Sequence, residues 1–301
     1  MKLGVMIEGQ EGIGWNEWRD ITRWTEELGF ESLWRSDHFF SFGPDKTIDA
    51  LETMASLVHV AENTKRIRFG PLVLSMTFRH PAMVARMAAA IDELSNGRFI
   101  LGLGAGWNVA EHDAFGFELP APKERSDGLE EGAGLIRALF NSSPASFDGK
   151  IYKAKDAYLH PRPVQSPMPI LIGGGGEQRT LRTVARLGNE WNTQGMPADR
   201  YRAKLDILEA HCEKEGRDPA TIERSLMCSY ITGSTDAEVQ KQLSARMTPL
   251  RDSVLVGTPQ QIVERICQYE DLGVSRIMMQ HMTAPSRETL SFLAEEMLPL
   301  V

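Results

Sequence analysis

Residues 169–187 read PILIGGGGEQRTLRTVARL: a short apolar run, four glycines, then a stretch with apolar residues at helical spacing. The run Pro169–Ile172 predicts a buried strand, and Glu177–Leu187 predicts the helix that follows it. A strand that passes through glycine directly into a helix is one βα unit of a parallel sheet. The same rhythm extends in both directions. Upstream, strands are expected over Leu3–Ile7, Ser32–Ser36, Ile67–Leu74 and Phe99–Gly104, separated by helices over Trp15–Leu28, Ala50–Ala61, Ala82–Leu94 (opened by Pro81) and Lys123–Phe140. Downstream come strands at Glu190–Asn192, Leu226–Ile231 and Ile277–Met279, with helices over Tyr201–Glu215, Pro259–Leu272 and Arg287–Leu298. Eight strands alternating with helices, and no linker among them, predict a single α/β domain over residues 1–301, a (β/α)8 TIM barrel. Two stretches interrupt the alternation. Phe39–Asp49 is an insertion after the second strand, placed to cover the strand ends. Asn141–Pro167, rich in proline, is expected to hold a small hairpin.

Composition narrows the functional classes. The 301 residues carry 33 Lys+Arg and 41 Asp+Glu, a formal net charge of 33 − 41 = −8, which argues against a nucleic-acid or anionic-membrane partner. No apolar run has the roughly 20 residues needed to span a bilayer, and the N-terminus reads as a strand rather than a secretory signal. The three cysteines, 212, 228 and 267, have no paired spacing, so a reducing, cytoplasmic setting is expected.

In a barrel the chemistry sits where strands end. Those positions hold Glu8, Asp37 with His38, Ser75 with Arg79, the turn Gly104-Ala105-Gly106-Trp107-Asn108, the run Gly173–Gly176, and Gln280 with His281. Four glycines before a helix let backbone N–H groups approach an anion such as phosphate; a turn needing left-handed backbone is the plain alternative. His38, held by a polar neighbour, is a candidate proton carrier, against the plainer reading of a helix cap and a surface histidine. Gly102–Gly106 lacks the last glycine of a dinucleotide fingerprint, since Trp107 stands there. It reads as close approach to a flat ligand or as strand-end packing. Arg79 is a candidate anion holder or a solvated arginine. No HxH, HExxH, DxDxDG or GxSxG pattern occurs, so neither a metal site nor a serine nucleophile is expected.

Taken together, these segments resemble the bacterial luciferase-like family of flavin and deazaflavin enzymes. The likeness lies in Glu31–His38, Gly70–Ser75 with Arg79-His80-Pro81, Leu94–Arg98, Gly102–His112, Phe115-Gly116, Pro169–Gly176 and Glu190–Asn192, in the family's order. The resemblance implies a luciferase-like barrel with coenzyme F-420, or alternatively FMN, lying over the strand ends. Ser36-Asp37-His38 and Gly-Ala-Gly-Trp-Asn are most similar to the deazaflavin branch, in which the Asp-His pair borders the ring. It also implies a non-prolyl cis peptide at Leu72–Val73, behind the ring, and contacts from Ser75 and the Gly174–Gly176 amides to the cofactor's chain and phosphate. Gly173 and Asn108 complete the expected cofactor set. The branch's sugar-phosphate dehydrogenases carry a catalytic Glu after the fourth strand's glycines; here that place is Trp107, and no basic cluster for a sugar phosphate is visible. Trp107 and Asn108 are expected to shape a less polar substrate side. The implied function is hydride transfer between the deazaflavin and a small organic substrate, with His38 carrying the proton. An FMN-dependent monooxygenase supplied by a partner reductase, and a non-catalytic flavin-binding protein, are the alternatives. A homodimer is expected by analogy with the family.

Overall fold

The computed structural model describes residues 1–245 and 253–301. Its strands and helices follow in the order β1 (Lys2–Ile7), α1 (Trp15–Glu27), β2 (Ser32–Arg35), α2 (Thr53–Asn63), β3 (Arg68–Pro71), β4 (Leu74–Ser75), α3 (Pro81–Leu94), β5 (Leu101–Gly104), α4 (Val109–Phe115), α5 (Pro122–Asn141), β6 (Ala145–Asp148), β7 (Lys153–Ala157), β8 (Ile170–Gly173), α6 (Thr180–Leu187), β9 (Glu190–Gln194), α7 (Ala198–Lys214), β10 (Glu223–Thr232), α8 (Asp236–Ser244), β11 (Leu255–Gly257), α9 (Pro259–Glu270), β12 (Arg276–His281) and α10 (Arg287–Met297). The main sheet is parallel and runs β3-β2-β1-β12-β10-β9-β8-β5-β4. Because β3 and β4 are successive halves of one stave, and Phe69 bridges Phe99, the ends meet and eight staves close into the expected barrel. β11 pairs only with the outer end of β10, and β6–β7 is the antiparallel hairpin foreseen within 141–167.

Among the described residues two large apolar clusters hold it together, with a small third one of Ile231, Val239 and Val254. One fills the space between strands and helices, with the fully buried Trp18, Leu33, Phe69, Leu135, Trp191, Tyr201 and Ile277 among its members. The other lies inside the barrel and joins Met6, Trp34, Leu72, Ile100, Leu171 and Met278. Each such side chain contributes roughly 1.5–3 kcal/mol by leaving water. Beneath the inner cluster, at the N-terminal end of the strands, Arg276 is sealed between carboxylates. Its Nη1 donates to both Glu190 oxygens at 2.8 Å, while Nε and Nη2 donate to Glu31 at 2.8 and 3.0 Å. Its guanidinium also lies 5.6 Å from the Trp34 ring. Burial alone would lower the Arg276 pKa, but the two glutamates outweigh it and hold the charge well above the ordinary value.

Local differences from the sequence reading have local causes. The expected strand 67–74 is interrupted by a cis peptide at Leu72–Val73, as the resemblance implied, and so divides into β3 and β4. The helix expected from Ala50 begins at Thr53, because the Glu52 carboxylate caps it by accepting from Ala55 N at 2.7 Å. The helix expected from Glu177 begins at Thr180, with Leu181 N donating back to Gly176 O. β9 and β10 run longer than expected, since parallel neighbours on each side supply ladder partners. α4, α8 and β11 were not foreseen; each is short, and local periodicity is weak over one or two turns.

Candidate active site

The strand ends open into a cavity of about 1580 Å3 that joins a second one of about 870 Å3. Leu72, Val73, Gly104, Gly106, Trp107 and Gln194 line both, so the two form one elongated cleft.

Val73 is the floor at the join. A Cβ on Gly104 would stand 2.5 Å from Val73 Cγ2, and one on Gly173 would stand 2.8 Å from Val73 Cγ1. A Cβ on Gly102 would meet the Pro71 carbonyl oxygen at 2.1 Å. These three glycines make room for the Leu72–Val73 segment by strand-end packing, while Gly104 and Gly106 of the Gly102–Gly106 run also line the cleft.

The smaller chamber is built on the glycine run. Gly174 takes a left-handed φ of +122°, which glycine accepts without steric cost. Of the Gly174–Gly176 amides expected to face an anion, that of Gly174 is engaged by the protein, donating to Asn192 O at 2.9 Å. Among the described residues, the Gly175 and Gly176 N–H groups carry no protein partner. Lys204 stands over them, its Nζ donating to Gly175 O at 2.8 Å and to Glu177 at 3.0 Å, and Arg200 lines the same chamber. Two free amides and two cations form a cradle for an anionic tail. The first turn of α6 lies three residues beyond it, so the amides do this work rather than the helix end.

Asp37, His38, Ser75, Trp107 and Asn108 line the larger chamber together, Ser75 apart from the glycine run with which it was expected to act. Their roles separate on geometry. The Asp37 carboxylate is spent on structure: it accepts from Ser75 N at 3.0 Å and from both Arg79 Nη atoms at 2.7 and 3.0 Å. Burial would lower the Arg79 pKa, but Asp37 and Glu52 raise it above its ordinary value. Arg79 is therefore held by protein carboxylates, so the reading of it as a free anion holder is corrected. Ser75 Oγ meets Thr77 Oγ1 at 2.6 Å, and Thr77 meets His112 Nε2 at 2.7 Å. Asn108 caps α4 through its Oδ1 and lines the cavity.

His38 has the arrangement of a proton carrier. Its Nδ1 lies 2.8 Å from Glu111 Oε2, while Phe39 N donates to the other Glu111 oxygen at 2.6 Å. Against a carboxylate, which only accepts when ionised, Nδ1 would donate, and this tautomer leaves a lone pair on Nε2. Phe42 and Trp107 pack edge-on to the ring, with centroids at 4.7 and 5.6 Å. Phe42 comes from the 39–49 insertion, which does cover the site. Trp107 is 61 % exposed and forms the rim.

Sequence reading missed Glu111 as a partner of His38. The signal was the Asn108-x-x-Glu111 spacing, which by itself reads as a capping box; here the glutamate reaches across to His38 instead. It also left Ser229 and Tyr230 unremarked. Ser229 donates to Gln280, which donates in turn to Glu8. Tyr230 OH lies 3.3 Å from His281 Nδ1, and burial pushes the His281 pKa down to about 4, so the ring is neutral near pH 7. Among the described residues its buried Nε2 has no partner.

Among the described residues, no three His, Cys, Asp or Glu side chains are grouped to hold a metal, and no helix is long and apolar enough to cross a membrane. Comparison with known proteins gives three findings. The model of the luciferase-like monooxygenase family matches residues 1–251. The chain is 30 % identical, over 93 % of its own length and 94 % of the relative's, to an F-420-dependent glucose-6-phosphate dehydrogenase of Amycolatopsis mediterranei. Its fold superposes on an F-420-dependent secondary alcohol dehydrogenase solved with an F-420–acetone adduct (TM-score 0.85, 18 % identity, 100 % and 98 % of the chains). It also superposes on a long-chain alkane monooxygenase (TM-score 0.76, 15 % identity, 98 % and 90 %).

Proposed function

The chain belongs to the luciferase-like monooxygenase family, and from that premise we propose that it transfers a hydride between coenzyme F-420 and a small organic alcohol or carbonyl compound. The observation that carries this reading is the continuity of the cleft: it leads from the Gly175–Gly176 amides and Lys204, past Val73, to the His38–Glu111 pair. A flat ring with an anionic tail fits that shape. The tail meets free amides and cations, and the ring meets a floor where Gly104 and Gly173 let Val73 rise. When bound, the deazaflavin accepts or gives an electron pair as hydride at one ring carbon.

The chain's own residues do the rest. Gly175, Gly176, Lys204 and Arg200 hold the tail. Asp37, locked by Arg79, fixes the Ser75 backbone at the ring's edge. In the oxidative direction the substrate carbon gives up a hydride and its hydroxyl gives up a proton. His38 Nε2 takes that proton while Glu111 stabilises the imidazolium; in the reductive direction the same nitrogen returns it. Phe42 and Trp107 pack edge-on against the His38 ring and hold its orientation. A reductase or dehydrogenase partner that recycles the cofactor, a homodimer and a cytoplasmic setting complete the reading.

Binding measured in parallel for F-420 and FMN tests it. Quenching of deazaflavin fluorescence with micromolar or tighter affinity, and weaker FMN binding, is expected. Tight FMN binding without F-420 binding, with oxygen uptake on addition of reduced FMN, would transfer the chain to the monooxygenase reading. Cofactor retention with no spectral change across a metabolite library would leave a binding protein.

A further inference from the structure

The two ends of the cleft carry opposite charge. Lys204 and Arg200 line the tail chamber. Among the described residues, no lysine or arginine lines the larger chamber, whereas Glu8, Asp37, Glu111, Glu238 and Glu288 do. Nearby cations are committed elsewhere. Arg79 is clamped by Asp37 and Glu52, and Arg35 packs against the helices, on Ser56 Oγ and the Leu51 carbonyl.

Glu8 is the charge that matters most. It is 6 % exposed, at the end of β1, and lines the chamber. Among the described residues its carboxylate accepts from the side-chain amides of Gln10 and Gln280 and makes no salt bridge; the nearby Arg35, whose charge it favours, is hydrogen-bonded to Ser56 and Leu51 instead. A carboxylate offers about four acceptor positions, so two remain for a donor on a ligand. Beside it, on the neighbouring strand, His281 contributes a neutral ring whose Nε2 is unpartnered. Facing these groups are apolar walls: Phe42, Phe78, Trp107 and Phe292.

We propose that this chamber selects an alcohol or carbonyl compound whose apolar body carries, apart from the reacting oxygen at His38, an uncharged or cationic donor group held at Glu8, and that it disfavours phosphate esters. This rests on the reading that the larger chamber receives the hydride-transfer substrate. It separates the chain from the glucose-6-phosphate dehydrogenases to which it is similar. Among the described lining residues a phosphate dianion meets a desolvated carboxylate and no cation, whereas a hydroxyl or ammonium donates to Glu8.

Three probes of one shape test the inference: benzyl alcohol, benzylammonium and benzyl phosphate, titrated by ligand-observed NMR into the protein with and without F-420. Benzylammonium and benzyl alcohol are expected to bind at least tenfold more tightly than benzyl phosphate at low salt, with the gap narrowing as salt rises. Glu8→Gln should shrink the preference for the cation over the phosphate by at least fivefold. Glucose 6-phosphate should be turned over at least a hundredfold less efficiently than an uncharged secondary alcohol. Benzyl phosphate binding as tightly as the alcohol, efficient turnover of glucose 6-phosphate, or failure of all three probes to bind would each overturn it. Cofactor binding is read separately by fluorescence. Absence of F-420 binding with the charge ordering intact would therefore overturn the proposed function and not the selectivity, and the converse result would do the reverse.

Discussion

The closed floor of the barrel and its open mouth both bury charge, and they treat it in opposite ways. At the floor Arg276 is 1 % exposed, holds Glu31 bidentately through Nε and Nη2, and shares Nη1 between both oxygens of Glu190. The buried guanidinium is answered wholly by protein carboxylates, and Trp34 seals the layer from above. At the mouth Glu8 is almost as deeply buried but is held by two amides, and His38 has one nitrogen on Glu111 and one without a protein partner. Buried charge costs stability unless paired. Where the pairing is complete the arrangement serves the fold; where it is left incomplete at the end of a cleft, capacity remains for a ligand.

The contrast can be broken from either side. The largest effect is expected at the mouth. His38→Ala should lower kcat by about 10²–10⁴-fold, while deazaflavin binding and the unfolding midpoint stay within a narrow range of the parent; stopped-flow absorbance with a responsive substrate measures it, and an undiminished kcat would remove His38 from the proton path. At the floor the effect should fall on stability instead. Arg276→Met strands Glu31 and Glu190 beside apolar groups and should cost about 3–5 kcal/mol in urea unfolding. A loss below about 1 kcal/mol would show that the sealed pair matters less than its geometry suggests.

The smallest effect is a pH signature at the rim. Burial holds the His281 pKa near 4, below its ordinary value of 6.5. Below about 6.5 the unfolded chain therefore takes up a proton that the folded protein refuses. The contribution is fully present above pH 6.5 and is lost as pH falls toward 4, by up to roughly 3 kcal/mol at the lower limit. His281→Gln should flatten that part of the stability profile, as read by thermal unfolding at several pH values. An unchanged slope would mean that the ring titrates normally.

The repeating strand–helix alternation made the barrel legible from sequence, because burial on both faces imposes continuous apolar runs. The positions of Asp37, His38, Trp107 and Gly173–Gly176 at strand ends followed from it. What sequence hid were pairings across long separations. Glu111 meets His38 from 73 residues away, and Asp37 captures Arg79 from 42 residues away, so a candidate anion holder is already occupied. The roles within the glycine run were also hidden. Gly173 yields to Val73, Gly174 spends its amide on Asn192, and only Gly175 and Gly176 keep theirs. Composition marks such a run as special but does not say which neighbour each glycine accommodates.

A crystal structure with F-420 bound tests the assignment of the cleft most directly. The ring should rest on Val73 with its reacting carbon toward His38, and the phosphate should accept hydrogen bonds from the Gly175 and Gly176 amides and from Lys204. A cofactor found in the reverse direction, with its phosphate beside Glu8 and its ring at the glycine run, or bound outside the barrel mouth, would contradict it.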